Sequence, residues 1–244
     1  MALKPEELER YRRQLALPGW GEDGQEKLKN STVFVAGAGG LGSPVLFYLA
    51  LAGVGTIRLC DDGRVERSNL NRQILYGEGD IGRLKTEAAA NRLRTANPDI
   101  EVIPLNRRID DGSMEKLAGD ADLIVDCLDN FETRYVINRH SVRKGVPFVH
   151  AGVAGFSGQM LFVHPPETAC LECVFPEVPQ SGTVPIAGAT AGVVGSLEAV
   201  EAIRFLLGEE PAGKNRLLIW SGGDMVFDVI DVEKAETCPV CGAG

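Results

Sequence analysis

The stretch VFVAGAGGLGSPVLFYLALAGVGTIRLCDD, residues 33–62, constrains the fold more than any other. A β-branched apolar run enters Gly37, Gly39 and Gly42, a helix follows, and a second apolar run ends in Asp61. A strand, a tight turn, a helix and a parallel strand close as a right-handed crossover. The spacing therefore predicts an α/β sheet with its ligand cleft beyond the carboxyl ends of the strands. Glycines at the turn let a phosphate approach the N–H groups that open the helix. Asp61 stands where it can accept a hydrogen bond from a ribose hydroxyl. A dinucleotide and a nucleoside triphosphate both satisfy this much.

The rest of the chain alternates in the same way. We expect an N-terminal helix over 5–16 with Leu8, Tyr11 and Leu15 on one stripe, then a short helix over 22–30. Strand 32–36, helix 42–52 and strand 55–60 lead into an irregular polar segment, 61–82. An Ala-rich helix (83–95), the strand IEVIPL, a short helix in DGSMEKLAGD and the strand in ADLIVDCLDN follow. Helix 131–144, strands PFVHAG and GQMLFVHP, a helix over 192–207 and strands RLLIW and MVFDVIDV complete the chain. In helix 192–207 the periodicity sets Val193, Leu197, Val200, Ile203 and Leu207 on one face, with Glu198 and Glu201 off it. The expected fold is a Rossmann-like, doubly wound, mostly parallel sheet with a C-terminal antiparallel extension. We expect one domain over 1–244: N-terminal helices (1–30), a nucleotide-binding core (31–165) and a C-terminal part (166–244). The Pro- and Gly-rich segment 174–191 reads as a mobile loop.

Composition narrows the partners. The formal charge of −9 argues against nucleic acid, whose affinity comes from neutralised phosphates. The N-terminus is charged from Lys4 onward with no apolar signal core, and the least charged stretch, 184–197, is too short to span a bilayer. We expect a cytoplasmic protein. Four of the six cysteines form two CxxC pairs, Cys170/Cys173 and Cys238/Cys241. Each pair can supply two corners of a tetrathiolate zinc site; a redox pair and two unrelated pairs are the alternatives. Cys60 and Cys127 lie in apolar strands, where an inert buried thiol is the default.

The segment 68–85 separates the two nucleotide readings. It offers Asn69, Arg72 and Lys85 after the second strand. A pyrophosphate already met by a helix N-terminus needs no further cations, whereas a triphosphate attacked at its α-phosphorus does. In DCLDN we expect Asp129 to end a strand and hold Mg²⁺, a hard cation suited to carboxylate and phosphate oxygens. Asp126 reads as structural.

The motifs RYRRQ (10–14), GAGGLG (37–42), SNLNRQ (68–73), GRLKTE (82–87), DCLDN (126–130) and both CxxC pairs stand in order over almost the whole chain. Together they resemble the ThiF/MoeB/HesA adenylyltransferases, bacterial relatives of ubiquitin-activating enzymes. The resemblance implies an ATP site on Gly37, Gly39, Gly40, Gly42, Asp61, Ser68, Asn69, Leu70, Asn71, Arg72, Lys85, Asp129 and Asn130. It implies a homodimer in which Arg13 reaches the partner subunit's triphosphate. On its own helix Arg13 lies opposite the Leu8/Tyr11/Leu15 stripe.

Such enzymes activate the C-terminal Gly-Gly carboxylate of a ubiquitin-like sulfur carrier, with a sulfurtransferase or cysteine desulfurase as a further partner. That carboxylate, with a pKa of about 3.5, is already ionised at pH 7, so anion–anion repulsion is the obstacle. Two departures stand out. Asp61-Asp62-Gly63 keeps only the first acid of the DxD that many relatives carry. No cysteine occurs between 174 and 237, and Ser181 stands near the position where some relatives carry a nucleophilic one. An NAD-dependent oxidoreductase, a non-catalytic tail-binding scaffold and activation of a tRNA or peptide C-terminus are the competing readings.

Overall fold

A computed structural model of the chain describes residues 2–177 and 184–242. Ser181 and the middle of the expected loop lie outside the described residues. The elements in chain order are α1 (Pro5–Arg10), α2 (Arg12–Leu15), α3 (Gly21–Asn30), β1 (Thr32–Ala36), α4 (Gly42–Ala52) and β2 (Thr56–Cys60). Two 3₁₀ turns, Arg67–Asn69 and Glu78–Asp80, precede α5 (Lys85–Ala96), β3 (Glu101–Leu105), α6 (Met114–Ala118) and β4 (Leu123–Asp126). Then come α7 (Phe131–Lys144), β5 (Phe148–Ala154), β6 (Ser157–Val163), α8 (Leu171–Val174), α9 (Gly188–Leu207), β7 (Arg216–Ser221) and β8 (Val226–Asp231).

The eight strands form one sheet in the order β3-β2-β1-β4-β5-β6-β7-β8. The first five are parallel and the last three join antiparallel, as the alternation of elements predicts. The order reverses between β1 and β4, and that switch point opens the cleft. Phe34, Val35, Ile124 and Val125 are fully buried, as strands covered on both faces require. Helix α4 is apolar on nearly every side because it lies between the sheet and α9. It stops at Gly53, whose left-handed backbone (φ 87°, ψ 32°) caps it.

Two expectations are corrected. The N-terminal helix is broken at Tyr11, whose hydroxyl accepts from Asn97 Nδ2 at 2.8 Å in the core. Helix α9 begins at Gly188, one turn before the expected start, and its buried face is rotated. Val193 and Val200 are 37% and 54% exposed, whereas Glu198 and Glu201 are buried. Hydrophobic periodicity misreads this helix because Glu201 is buried against a partner beyond the helix: its Oε1 accepts the Gly213 N–H.

Candidate active site

The glycine turn is built by contacts that no side chain could survive. Gly37 has φ +100°, and a Cβ there would stand 2.8 Å from the Cys127 carbonyl oxygen. A Cβ on Gly42 would overlap the Gly37 carbonyl. Between them the N–H groups of Gly39, Gly40 and Leu41 donate to no acceptor among the described residues. They are free for an anion. Asp61 braces this turn. Its Oδ2 accepts the Ala38 N–H and its Oδ1 the Gly63 N–H, both at 2.8 Å. Each oxygen keeps a lone pair for a further donor.

Tyr76 fastens the basic segment to the same turn, its buried hydroxyl bonding the carbonyls of Ala38 (2.9 Å) and Lys85 (3.4 Å). Lys85 is the first residue of α5 and half-buried. Among the described residues its ammonium has no acidic partner. Arg72 donates from Nη1 to the Ser68 carbonyl (2.9 Å) and to Asn71 Oδ1 (3.0 Å). Its stem packs on Gly40, where a Cβ would lie 3.6 Å from Arg72 Cγ and Cδ.

Asp129 does not end a strand. β4 stops at Asp126 because that carboxylate turns inward, accepting from Leu128 N–H (3.1 Å) and pairing with buried His150 Nδ1 (2.7 Å) and Arg134 Nε (3.4 Å). Burial holds His150 below its ordinary pKa, so the imidazole is neutral and its Nδ1–H donates to Asp126. The structural reading of Asp126 stands. Asp129 follows on an exposed loop with no cationic partner among the described residues, and Asn130 caps α7 by accepting the Thr133 N–H at 2.9 Å.

These groups converge on a cleft of 1560 Å³ lined by Gly37, Gly39, Gly40, Asp61, Arg72, Lys85, Asp129 and Asn130. Gly42 is buried behind the turn. Ser68, Asn69, Leu70 and Asn71 shape the basic segment without lining the cleft; Asn69 Oδ1 accepts the Glu66 N–H at 3.1 Å. Arg13 is exposed on α2, away from the cleft. The lining continues onto the paired ends of β5 and β6, at Gly152, Ala154, Ser157 and Gly158.

Among the lining residues that sequence reasoning did not assign to the site are Gln73 and Arg134. The signal for Arg134 was its place one helical turn after Asn130, which aims it back at the loop. Its Nη2 donates to the carbonyls of Leu128 and Ala151.

The four CxxC thiols meet outside the cleft lining, all within 4.8 Å of one another. Their separations include 3.9 Å (Cys170–Cys173), 3.6 Å (Cys170–Cys238) and 3.3 Å (Cys173–Cys241). A tetrahedron with Zn–S bonds of about 2.3 Å has edges of about 3.8 Å, so the set fits zinc. All are free thiols. Burial pushes the Cys60 thiol up to about 12 and that of Cys127 well above its ordinary value, so both are inert.

The sequence model of the ThiF family matches residues 11–240. The chain belongs to the ThiF family. It is 41% identical to the sulfur carrier protein adenylyltransferase of Thermus thermophilus, covering 97% of this chain and 92% of that one. It is 40% identical to the SAMP-activating enzyme E1 of Haloferax volcanii over 100% of this chain and 92% of the relative. The crystal structure of Escherichia coli MccB with MccA-N7isoASN superposes with a TM-score of 0.88 at 26% identity, covering 97% of this chain and 75% of that one. In this ThiF-family chain no helix among the described residues is long and apolar enough to cross a membrane.

Proposed function

We propose that this chain is an ATP-dependent adenylyltransferase acting on the C-terminal Gly-Gly carboxylate of a small ubiquitin-like sulfur-carrier protein in the cytoplasm. The observation that carries the reading is the convergence on one cleft of the glycine-turn N–H groups, Arg72, Lys85 and Asp129, the last two without an oppositely charged partner among the described residues. The reaction is carrier–COO⁻ plus ATP giving carrier–CO–O–AMP and pyrophosphate. No general base is needed, because the attacking carboxylate is ionised.

The glycine turn, Arg72 and Lys85 screen the triphosphate, hold it in line and stabilise the departing pyrophosphate. Asp61 accepts from the ribose, Asn130 lines the wall, and Ser68–Asn71 hold the basic segment that carries Arg72. Asp129 would hold Mg²⁺, which would supply positive charge to the phosphates. Cys170, Cys173, Cys238 and Cys241 would hold a structural zinc, since four thiolates leave no open position. The part of the cleft lined by Gly152 and Gly158 suits an extended glycine tail. A sulfurtransferase or cysteine desulfurase would follow, supplying sulfur to the activated carboxyl.

A homodimer completes the site. Gln14 Nε2 donates to the Ala52 carbonyl at 2.8 Å, so α2 sits at the far end of α4 from the glycine turn. An 11-residue helix is about 16 Å long, further than Arg13 can span to its own cleft. Exposed apolar residues on α4 and α9 (Tyr48 51%, Leu51 44%, Val200 54%) offer a face for the second subunit. Pyrophosphate exchange into ATP tests the proposal: it should require both Mg²⁺ and a Gly-Gly carrier. Tight NAD binding without exchange would contradict it.

A further inference from the structure

We infer that Gln73 is a polyphosphate-binding residue, a neutral donor working beside Arg72 and Lys85; the inference rests on the nucleotide lying over the glycine turn as proposed above. Gln73 is 4% exposed; among the described residues its buried Oε1 has no partner, and its Nε2, which is not sealed from solvent, donates to none. Side-chain amides of such residues usually donate to the protein; here the Nε2 donor is left to the cleft, which Gln73 lines. A Cβ built on Gly39 would stand 3.8 Å from Gln73 Nε2, so the amide faces the turn whose own N–H groups are free.

The amide is also held in place. The Gln73 N–H donates to the Asn69 carbonyl at 2.9 Å, and the Gln73 carbonyl accepts the Tyr76 N–H at 3.2 Å. Tyr76 is in turn bonded to Ala38 and Lys85. The side chain therefore leaves a rigid segment tied to the glycine turn on one side and to the start of α5 on the other. The Nε2 donor, bonded to no described residue in the empty protein and held facing the anion site, is preorganised for that anion; Oε1, an acceptor, takes no part.

The assignment makes stability and binding move in opposite directions. Gln73→Met keeps the length of the side chain and deletes the unpaired amide, so the empty protein should melt no lower than wild type. Its affinity for ATP with Mg²⁺, measured by calorimetry, should fall by about ten-fold or more, the size of one lost hydrogen bond to a charged group. Adenosine, which lacks the phosphates, should bind the variant and wild type alike. Gln73→Glu, isosteric with the native residue, should weaken ATP further by setting a carboxylate against the phosphates, and it serves as the second variant if Met disturbs packing. Unchanged ATP affinity in both variants overturns the assignment. So does an equal loss for ATP and adenosine together with a lowered melting temperature, the pattern of an amide that is only structural. If wild type itself binds no ATP, the nucleotide site fails first, and the assignment falls with it.

Discussion

Replacing Glu198 by glutamine should stabilise the protein more at high pH than at low pH. Glu198 is fully buried on α9, its Oε1 has no partner, and its Oε2 lies 4.0 Å from Cys127 Sγ. Burial raises its carboxyl well above 4.5, and like-charged Asp126 on β4 raises it further; Arg134 on α7 offsets this only in part. His150, on β5, is spent on Asp126. The folded protein thus keeps Glu198 protonated, while the unfolded chain ionises it above its ordinary value of 4.5. Folding takes up a proton, so the stability tied to this group is fully present below that value and falls by about 1.4 kcal/mol per pH unit up to the folded-state value. Between about pH 5 and pH 7 the difference reaches up to about 2.7 kcal/mol. For a chain of this size that corresponds to roughly 5–10 °C in melting temperature. The substituted glutamine cannot titrate, and its amide adds a pH-independent offset. The assay is therefore thermal melts of wild type and Glu198→Gln across the range from about pH 5 to pH 8. The gap should widen in the variant's favour as pH rises. Parallel curves would mean that Glu198 is ionised and paired in the folded state, and would refute the reasoning.

Arg72→Ala and Lys85→Ala should each cut turnover by about 10²–10³, the loss expected for one preorganised charge-stabilising group. Both should melt like wild type, since each side chain faces the cleft. Metal analysis should return one zinc per chain, and Cys238→Ser should lower both zinc content and melting temperature; a metal-free wild type of full stability would remove the zinc assignment. Inactive Arg13→Ala and Arg72→Ala proteins, once mixed and exchanged, should recover about a quarter of wild-type activity, because half the dimers are heterodimers with one intact site each. No recovery despite proven exchange would place Arg13 within its own chain or outside the reaction.

The parallel core was legible because burial on both faces leaves an apolar run whose ends are marked by glycine. The spans expected for β1, α4 and α7 were met at both ends. The glycine turn and the four-cysteine cluster were legible from their spacing, and the placement of Arg72 and Lys85 on the same cleft from the motifs that carry them. The misreadings share a cause. Tyr11 breaks the first helix for Asn97, Asp126 ends β4 for His150, and α9 turns two glutamates inward. Each depends on a partner distant in sequence or on burial that periodicity does not report. Gln73 stayed hidden inside its motif because only three-dimensional accounting of hydrogen bonds reveals an unpaired amide.

The central claim is that ATP is cleaved by the carboxylate of a carrier tail. Mass spectrometry of a Gly-Gly carrier incubated with the enzyme, ATP and Mg²⁺ tests it most directly. The account predicts a carrier heavier by one adenylyl group, located on its C-terminal glycine, with pyrophosphate released in equal amount. A carrier lacking that glycine should stay unmodified. Consumption of ATP to ADP and phosphate, with no adenylyl group on any Gly-Gly carrier, would contradict the account.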